Sequence, residues 1–372
     1  MNATNTGIKN VYYLFFFSRL CGISVPYQSR TKTNIIFKIY SFMFFLFITV
    51  LAIISLYYRI QSHYTIFSIT SRVIDILDSS FLILLHGSCI ISTTFCNGKE
   101  HEILELNLTD IEQFLHYKRS SMENIIKFIN RESLLINISL LSLCVAYSIV
   151  WGSVDGFNIE SWYTVKYFQS YIGTVGIYQM YSLNNYLRLC FKSLNVRLFK
   201  RLLIKRRHDS DANFVNHITN IHDNLCDVID AINKIYGFPL LVSLLFFGLR
   251  LIVIINSLIT RPSNPTSLVI AQVLWTLTAV ILWTALVLSC DFLCEEVQET
   301  VTTAYKIIVK LPYPISIQES LVIKNIRRLI AQVVGRKVQF TAAGFMGFNR
   351  RIILSTFSTI TVYVMIIVNM NY

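Results

Sequence analysis

The chain has 372 residues, of which 54% are hydrophobic and only 15% charged, a balance that excludes a soluble globular domain and describes a membrane protein. Its net charge of +12 does not call for a nucleic-acid partner. The Lys and Arg residues cluster beside apolar spans, where topology and anionic lipid headgroups account for them.

In chain order, Val11–Phe17 is apolar but too short to cross a bilayer, and no convincing small-residue cleavage site follows. It reads as an interfacial or packed segment rather than a signal peptide. Seven longer spans come next: Ile35–Tyr58, Val73–Phe95, Ser133–Gly152, Thr164–Leu187, Phe238–Leu258, Leu268–Cys290 and Ile352–Met370. Each runs to about 20 residues or more, enough to cross ~30 Å of hydrocarbon at ~1.5 Å per residue. The connections alternate in charge. The amino-terminal segment and the second, fourth and sixth connections carry four, five, nine and nine Lys or Arg, whereas the others hold only Arg59, Arg72 and Arg261. That asymmetry predicts an amino terminus in the cytoplasm and, with an odd number of spans, Tyr372 outside. The expected fold is therefore all-α and polytopic, with seven transmembrane helices. It divides into a cytoplasmic segment (1–34), a six-helix bundle (35–290), a cytoplasmic helical segment (291–350) and a seventh helix with a short outer tail (351–372).

Two inner connections carry helical patterns. Phe214, Ile218, Ile221, Leu225, Val228, Ile232 and Ile235 recur in steps of three and four and lead straight into the fifth span across Tyr236-Gly237-Phe238-Pro239. Leu321, Ile323, Ile326, Leu329, Ile330 and Val333 repeat the pattern within Ile317–Arg336. Their apolar stripes predict a helical bundle below the membrane. The eight cysteines fall in spans or on the inner side, so free thiols are expected. Cys290 and Cys294 lie four apart, yet no further Cys or His completes a metal site, and no cofactor is expected. The seventh span is laced with Ser355, Thr356, Ser358, Thr359 and Thr361. Such a helix should face protein or water, unless each hydroxyl bonds its own backbone four residues back.

The end of the chain resembles the insect gustatory receptor family. That family's signature closes on Thr-Tyr, five apolar residues and Gln-Phe. Here Val362-Tyr363 is followed by Val364-Met365-Ile366-Ile367-Val368 and then Asn369-Met370. The preceding Phe340-Thr341-Ala342-Ala343-Gly344-Phe345 and Asn349-Arg350 match a similar family run. His222, Leu225-Cys226, Asn233 and Tyr236-Gly237 fit the helix that enters the fifth span. The resemblance implies a multi-pass cell-membrane protein that is no enzyme: a ligand-gated, non-selective cation channel. It would assemble as a homo- or hetero-tetramer with other gustatory receptors, each subunit lending its seventh span to one pore. Carried over by position, Tyr363, Ile366 and Asn369 face that pore. Steps of three extend the strip back to Thr359 and Thr356. Ile366 is then the hydrophobic gate and Asn369 a ring of amides.

With the outer side so defined, residues in the outer halves of the first six spans are the candidates for binding a small-molecule tastant. They are Asp75 and Asp78, Tyr147 and Trp151, Tyr167 and Tyr171, and Gln272 and Trp275. Aromatic walls with a few polar groups suit a small amphipathic ligand, and carboxylates could hold a cationic nitrogen. Lys166 or Arg72 could instead neutralise the two carboxylates, and Arg250 within the fifth span could find an internal acidic partner. The family's sugar-receptor branch carries Glu after the signature Tyr, where this chain has Val364, so plant-derived bitter compounds are favoured over sugars. The rival is a seven-helix G-protein-linked chemosensory receptor. It would need the opposite orientation, an Asp-Arg-Tyr-like triplet after the third span and an Asn-Pro-x-x-Tyr-like run in the seventh, and neither run is present.

Overall fold

A computed structural model describes residues 12–23, 32–62, 69–95, 98–115, 119–155, 157–203, 211–260, 266–311 and 317–371. The described chain is almost wholly helical. In order it forms α1 (Tyr12–Leu20), α2 (Lys32–Ser62), α3 (Ile69–Ile90), a π-helical turn (Ile91–Phe95), α4 (Gly98–Leu115), α5 (Arg119–Asp155), α6 (Phe157–Leu203), α7 (Asp211–Thr260), α8 (Thr266–Lys310) and α9 (Ile317–Gly335). A minimal hairpin follows, β1 (Thr341–Ala342) with β2 (Met346–Gly347), and then α10 (Arg350–Asn371).

The expected apolar spans lie inside these helices, but α6, α7 and α8 run on far beyond them. At 47, 50 and 45 residues they reach about 68–75 Å at ~1.5 Å per residue, more than twice a hydrocarbon core. Among the described residues five helices are long and apolar enough to cross a membrane: α2, α3, α5, α7 and α8. Of the seven expected spans, those in α6 and α10 are not among them, and for α6 its packing explains why. It touches α8, α5, α7, α3, α2 and α1. Its buried face therefore carries Gln169, Gln179, Asn184 and Asn195, which meet protein instead of lipid. Two of these amides bridge α6 to α8: Asn184 Nδ2 donates to Ser289 Oγ at 3.2 Å and Asn195 Nδ2 to Glu296 Oε1 at 3.2 Å.

The short apolar segment at the start is α1, packed on α5 and α6. It ends in a Schellman turn: Ile23 N–H donates to Ser18 O and Gly22 N–H to Arg19 O. Gly22 holds φ +72, and a Cβ there would press on Phe44 at 3.3 Å, so the turn and the close approach both select glycine. The cysteines among the described residues, Cys21, Cys89, Cys144, Cys190, Cys226, Cys290 and Cys294, are free thiols, and Cys96 lies outside them.

Below the spans, the ends of α6, α7 and α8 pack with α4 and α9. The stripe expected on α7 is the buried one, with Ile218, Ile221, Leu225, Val228, Ile232 and Ile235 all inside. On α9 four of the six expected residues form the buried face, and only its first turn differs. Val322, Ile326, Leu329, Ile330 and Val333 are buried, while Leu321 is exposed and Ile323 lies at the edge. Helix α4 is an addition to the sequence reading; its Leu104, Leu108 and Ile111 seal the opposite flank of α7.

Within this lower bundle His222 is buried against the Phe191 ring, 5.4 Å between centroids. Burial lowers its pKa to about 4, opposed by Asp223 and reinforced by Arg336. With an unfolded value near 6.5, the neutral ring is no liability at neutral pH. As the pH falls through ~6.5 towards ~4 the unfolded chain takes a proton that the folded chain refuses, costing up to about 3 kcal/mol. Thermal unfolding of His222→Leu, followed from pH 7 to pH 4, is expected to lose that part of the acid sensitivity.

Candidate functional site

The structure brings three of the candidate aromatics into one cluster. Tyr147 of α5 meets Tyr167 of α6 edge-on with 4.5 Å between centroids, and it stacks on Trp275 of α8 at 6.0 Å. Tyr171 lies one turn further along α6, stacked on Phe168 at 6.2 Å. Gln272 lies nearly one turn before Trp275 on α8 and is buried. Trp151 belongs to α5, but its side chain lies outside the described residues.

Beside this cluster is a cavity of about 60 Å³ that opens between α5, α6, α7 and α8. Trp275 is the candidate that lines it; Phe246, Phe247 and Arg250 of α7, Thr174 of α6 and Trp283 of α8 form much of the rest. Phe247 and Trp283 stack almost parallel, 4.6 Å apart at 5°, and form a flat floor. The α7 contribution was hidden in the sequence because Phe238–Leu258 is nearly unbroken apolar residues. Arg250 is the one charged residue in the run.

Asp75 and Asp78 do not face this space as free carboxylates. Asp78, fully buried on α3, forms ion pairs with Lys166 Nζ at 2.6 Å and Arg250 Nε at 3.1 Å. Asp75 binds Lys166 Nζ at 2.6 Å and Arg59 at 2.7 Å. Arg59 is only 2% exposed and also donates to Ser79 Oγ at 2.9 Å. Five charged side chains thus tie α2, α3, α6 and α7 together. Their mutual attraction offsets the cost of burying charge, and Asp78 is the member whose loss leaves Arg250 without its carboxylate among the described ion pairs.

At the other end of the chain the motif residues form one junction. Asn233 of α7 holds β1 from both sides: Thr341 N–H donates to its Oδ1 at 2.9 Å, and its Nδ2 donates to Thr341 Oγ1 at 3.3 Å. One turn on, Gly237 lets α7 touch the hairpin backbone, since a Cβ there would lie 3.2 Å from Ala343 N. Phe340 and Phe348 are buried, and Phe348 N–H donates to Phe340 O at 2.8 Å. Ala343 (φ 52) and Gly344 (φ 78) turn the loop, and Phe345 stands out exposed at its tip. Asn349 then caps α10, its Oδ1 accepting Arg351 N–H at 3.0 Å. Arg350 pairs with Asp291 and Glu295 of α8.

Helix α10 rests on α7 and α8 along Ile352 and Ile360 and leaves most of its surface open. Tyr363 is 50% exposed and Ile366 48%. The side chain of Asn369 lies outside the described residues. Thr356, Thr359 and Thr361 each donate to the carbonyl four residues back. The helix itself therefore satisfies these donors, and each oxygen keeps a lone pair for a partner beyond it.

Residues 11–372 match the family model for the 7tm chemosensory receptor. Among solved structures, the insect olfactory receptor OR5 from Machilis hrabei in complex with eugenol superposes with a TM-score of 0.71. The two are 13% identical over 98% of each chain. The same receptor described without eugenol gives a TM-score of 0.68 at 13% identity, covering 97% of each chain. None of the curated proteins matches this chain in sequence.

Proposed function

The chain belongs to the 7tm chemosensory receptor family, and on that premise we propose that it is a ligand-gated, non-selective cation channel of the multi-pass cell membrane, assembled from four subunits. The observation that carries this reading is α10. It is a helix of membrane length whose threonine, tyrosine and isoleucine face meets little else among the described residues of its own chain. Four such helices around one axis would bury that face against one another and around a central path. Tyr363, Ile366 and Asn369 then line the path with Thr359 and Thr356 below them, Ile366 closing it by dewetting. The six-helix bundle of residues 35–290 receives the tastant, and residues 291–350 anchor the subunits beneath the membrane, with the amino terminus inside and Tyr372 outside. The partners are identical subunits or other gustatory receptors. The cavity against Trp275, Phe247 and Trp283 supports a small, largely apolar ligand, and Val364 favours plant-derived bitter compounds over sugars. An aromatic odorant, eugenol, occupies a structural relative.

Whole-cell recording from cells expressing the chain, with G-protein signalling blocked, tests the proposal. A fast cation current is expected. Ile366→Ala should raise the ligand-free current severalfold, and Asn369→Ala should change the permeability ratio between sodium and calcium. A response that vanishes when G proteins are blocked would favour the G-protein-linked alternative.

A further inference from the structure

We propose that Ile177 sets the length of ligand the receptor accepts, by closing the cavity between α5, α6, α7 and α8 off from a second, smaller void further along the α6–α7 seam. That role rests on the reading of the cavity as the ligand site.

The two voids lie end to end. On α7 the cavity is walled by Ser243, Phe246, Phe247, Arg250 and Ile254. The smaller void continues the same helical face through Ser243, Leu240, Pro239 and Tyr236, in the steps of three and four that keep residues on one side of a helix. On α6, which runs the other way, Ser170, Thr174 and Ile177 border the cavity, and Ile177 and Met180 border the void. Among the described residues only Ile177 and Ser243 belong to both walls. They form the partition.

Of the two, Ile177 supplies the bulk. Ser243 is buried, and its hydroxyl is held to Leu240 O at 2.8 Å. The β-branch of Ile177 leaves it one strongly preferred rotamer on a helix, so it does not swing aside as a Met would. The void beyond it measures about 10 Å³, close to the room that one water or one methyl group needs. Its surface is wholly apolar, so it suits the end of a hydrocarbon chain and not a polar group. A chain that passed Ile177 would end against Pro239, at the turn where α7 lacks one of its own hydrogen bonds. Ile177 keeps ligands short of that turn.

Purified full-length protein titrated with the 1-alkanols from propanol to octanol, at matched free concentration, tests the proposal. One hydroxyl keeps these probes in solution, and tryptophan fluorescence reports binding because Trp275 and Trp283 line the cavity. Affinity is expected to rise about fourfold per carbon, the yield of burying one methylene, until the chain meets Ile177, and to fall beyond that length. Ile177→Ala should carry the rise about two carbons further, roughly tenfold or more for an alkanol of that length. Ile177→Val, which stays closest to the parent packing, should carry it about one carbon further. Adding Cys89→Met to Ile177→Ala refills the void from α3 and should restore the parent limit. A rise unbroken to octanol in the parent, or limits that coincide in the parent and both Ile177 variants, would overturn the partition alone. Ala279→Phe fills the cavity itself and should abolish binding. No binding of any alkanol, or binding that Ala279→Phe leaves intact, would overturn the cavity as the ligand site, and the proposal with it.

Discussion

Asp78→Ala is expected to cost about 3–5 kcal/mol and to remove most of the protein from the cell surface, because it strands Arg250 inside the bundle. Lys166 would keep Asp75, but Arg250 would lose the only carboxylate it pairs with among the described ion pairs. Neither guanidinium nor ammonium can reach water easily from a position between α3, α6 and α7. The measurement is surface biotinylation alongside thermal melting of the solubilised protein. Adding Arg250→Met to Asp78→Ala should recover part of the loss, since the stranded cation is then gone while Lys166 and Arg59 keep Asp75. Melting of Asp78→Ala unchanged from the parent would mean that the cluster contributes nothing to holding these helices.

Gly237→Val is expected to abolish ligand-gated current while leaving the chain folded. The added Cβ would lie 3.2 Å from Ala343 N and 3.4 Å from Thr341 O. Backbone cannot rotate aside as a side chain can, so the hairpin must move, at a cost of about 1–3 kcal/mol for overpacking. Asn233→Ala attacks the same joint from one turn away by deleting both bonds to Thr341. It leaves a half-buried N–H without its acceptor, worth about 1 kcal/mol. Both variants should reach the surface and both should lose current. If either conducts like the parent at equal surface density, the hairpin does not set the position of α10.

The sequence announced some of this geometry and hid the rest, for physical reasons. The lower half of α7 was legible because its stripe faces a partner on one side and water on the other, which forces a period near 3.6. Helix α4 had the same signal in Leu104, Leu108 and Ile111, but it is short and rich in acids, and the pattern passes as a loop. On α9 only the first turn differed, Val322 being buried in place of Leu321, because its mates lie on two sides, α7 and α8, and the stripe is broad. The lengths of α6 and α8 were not readable from apolarity alone, which marks where lipid ends and not where a helix does. In the upper bundle the aromatic trio Tyr147, Tyr167 and Trp275 came from reading the outer ends of spans. The cavity wall on α7 could not, because Phe247 is one apolar residue among many until Trp283 is seen lying flat against it. The motif residues were visible as a pattern, but their reason is tertiary. Asn233 and Gly237 accompany Thr341 and Ala343 because each pair meets across more than a hundred residues of chain.

Helix α7 is one unbroken rod that carries Arg250 near one end of its apolar half and Gly237 thirteen residues earlier. The two stations are about 20 Å apart along the axis at ~1.5 Å per residue. Between them sits Pro239, which cannot donate to the carbonyl of Ile235 and so softens the rod at that point. Such a rod works as a lever: each degree of tilt at the cavity translates into about 0.3 Å at the hairpin over that ~20 Å arm. Because Gly237 leaves no slack against Ala343, a displacement of that size is handed on to the foot of α10 instead of being absorbed by side-chain rearrangement.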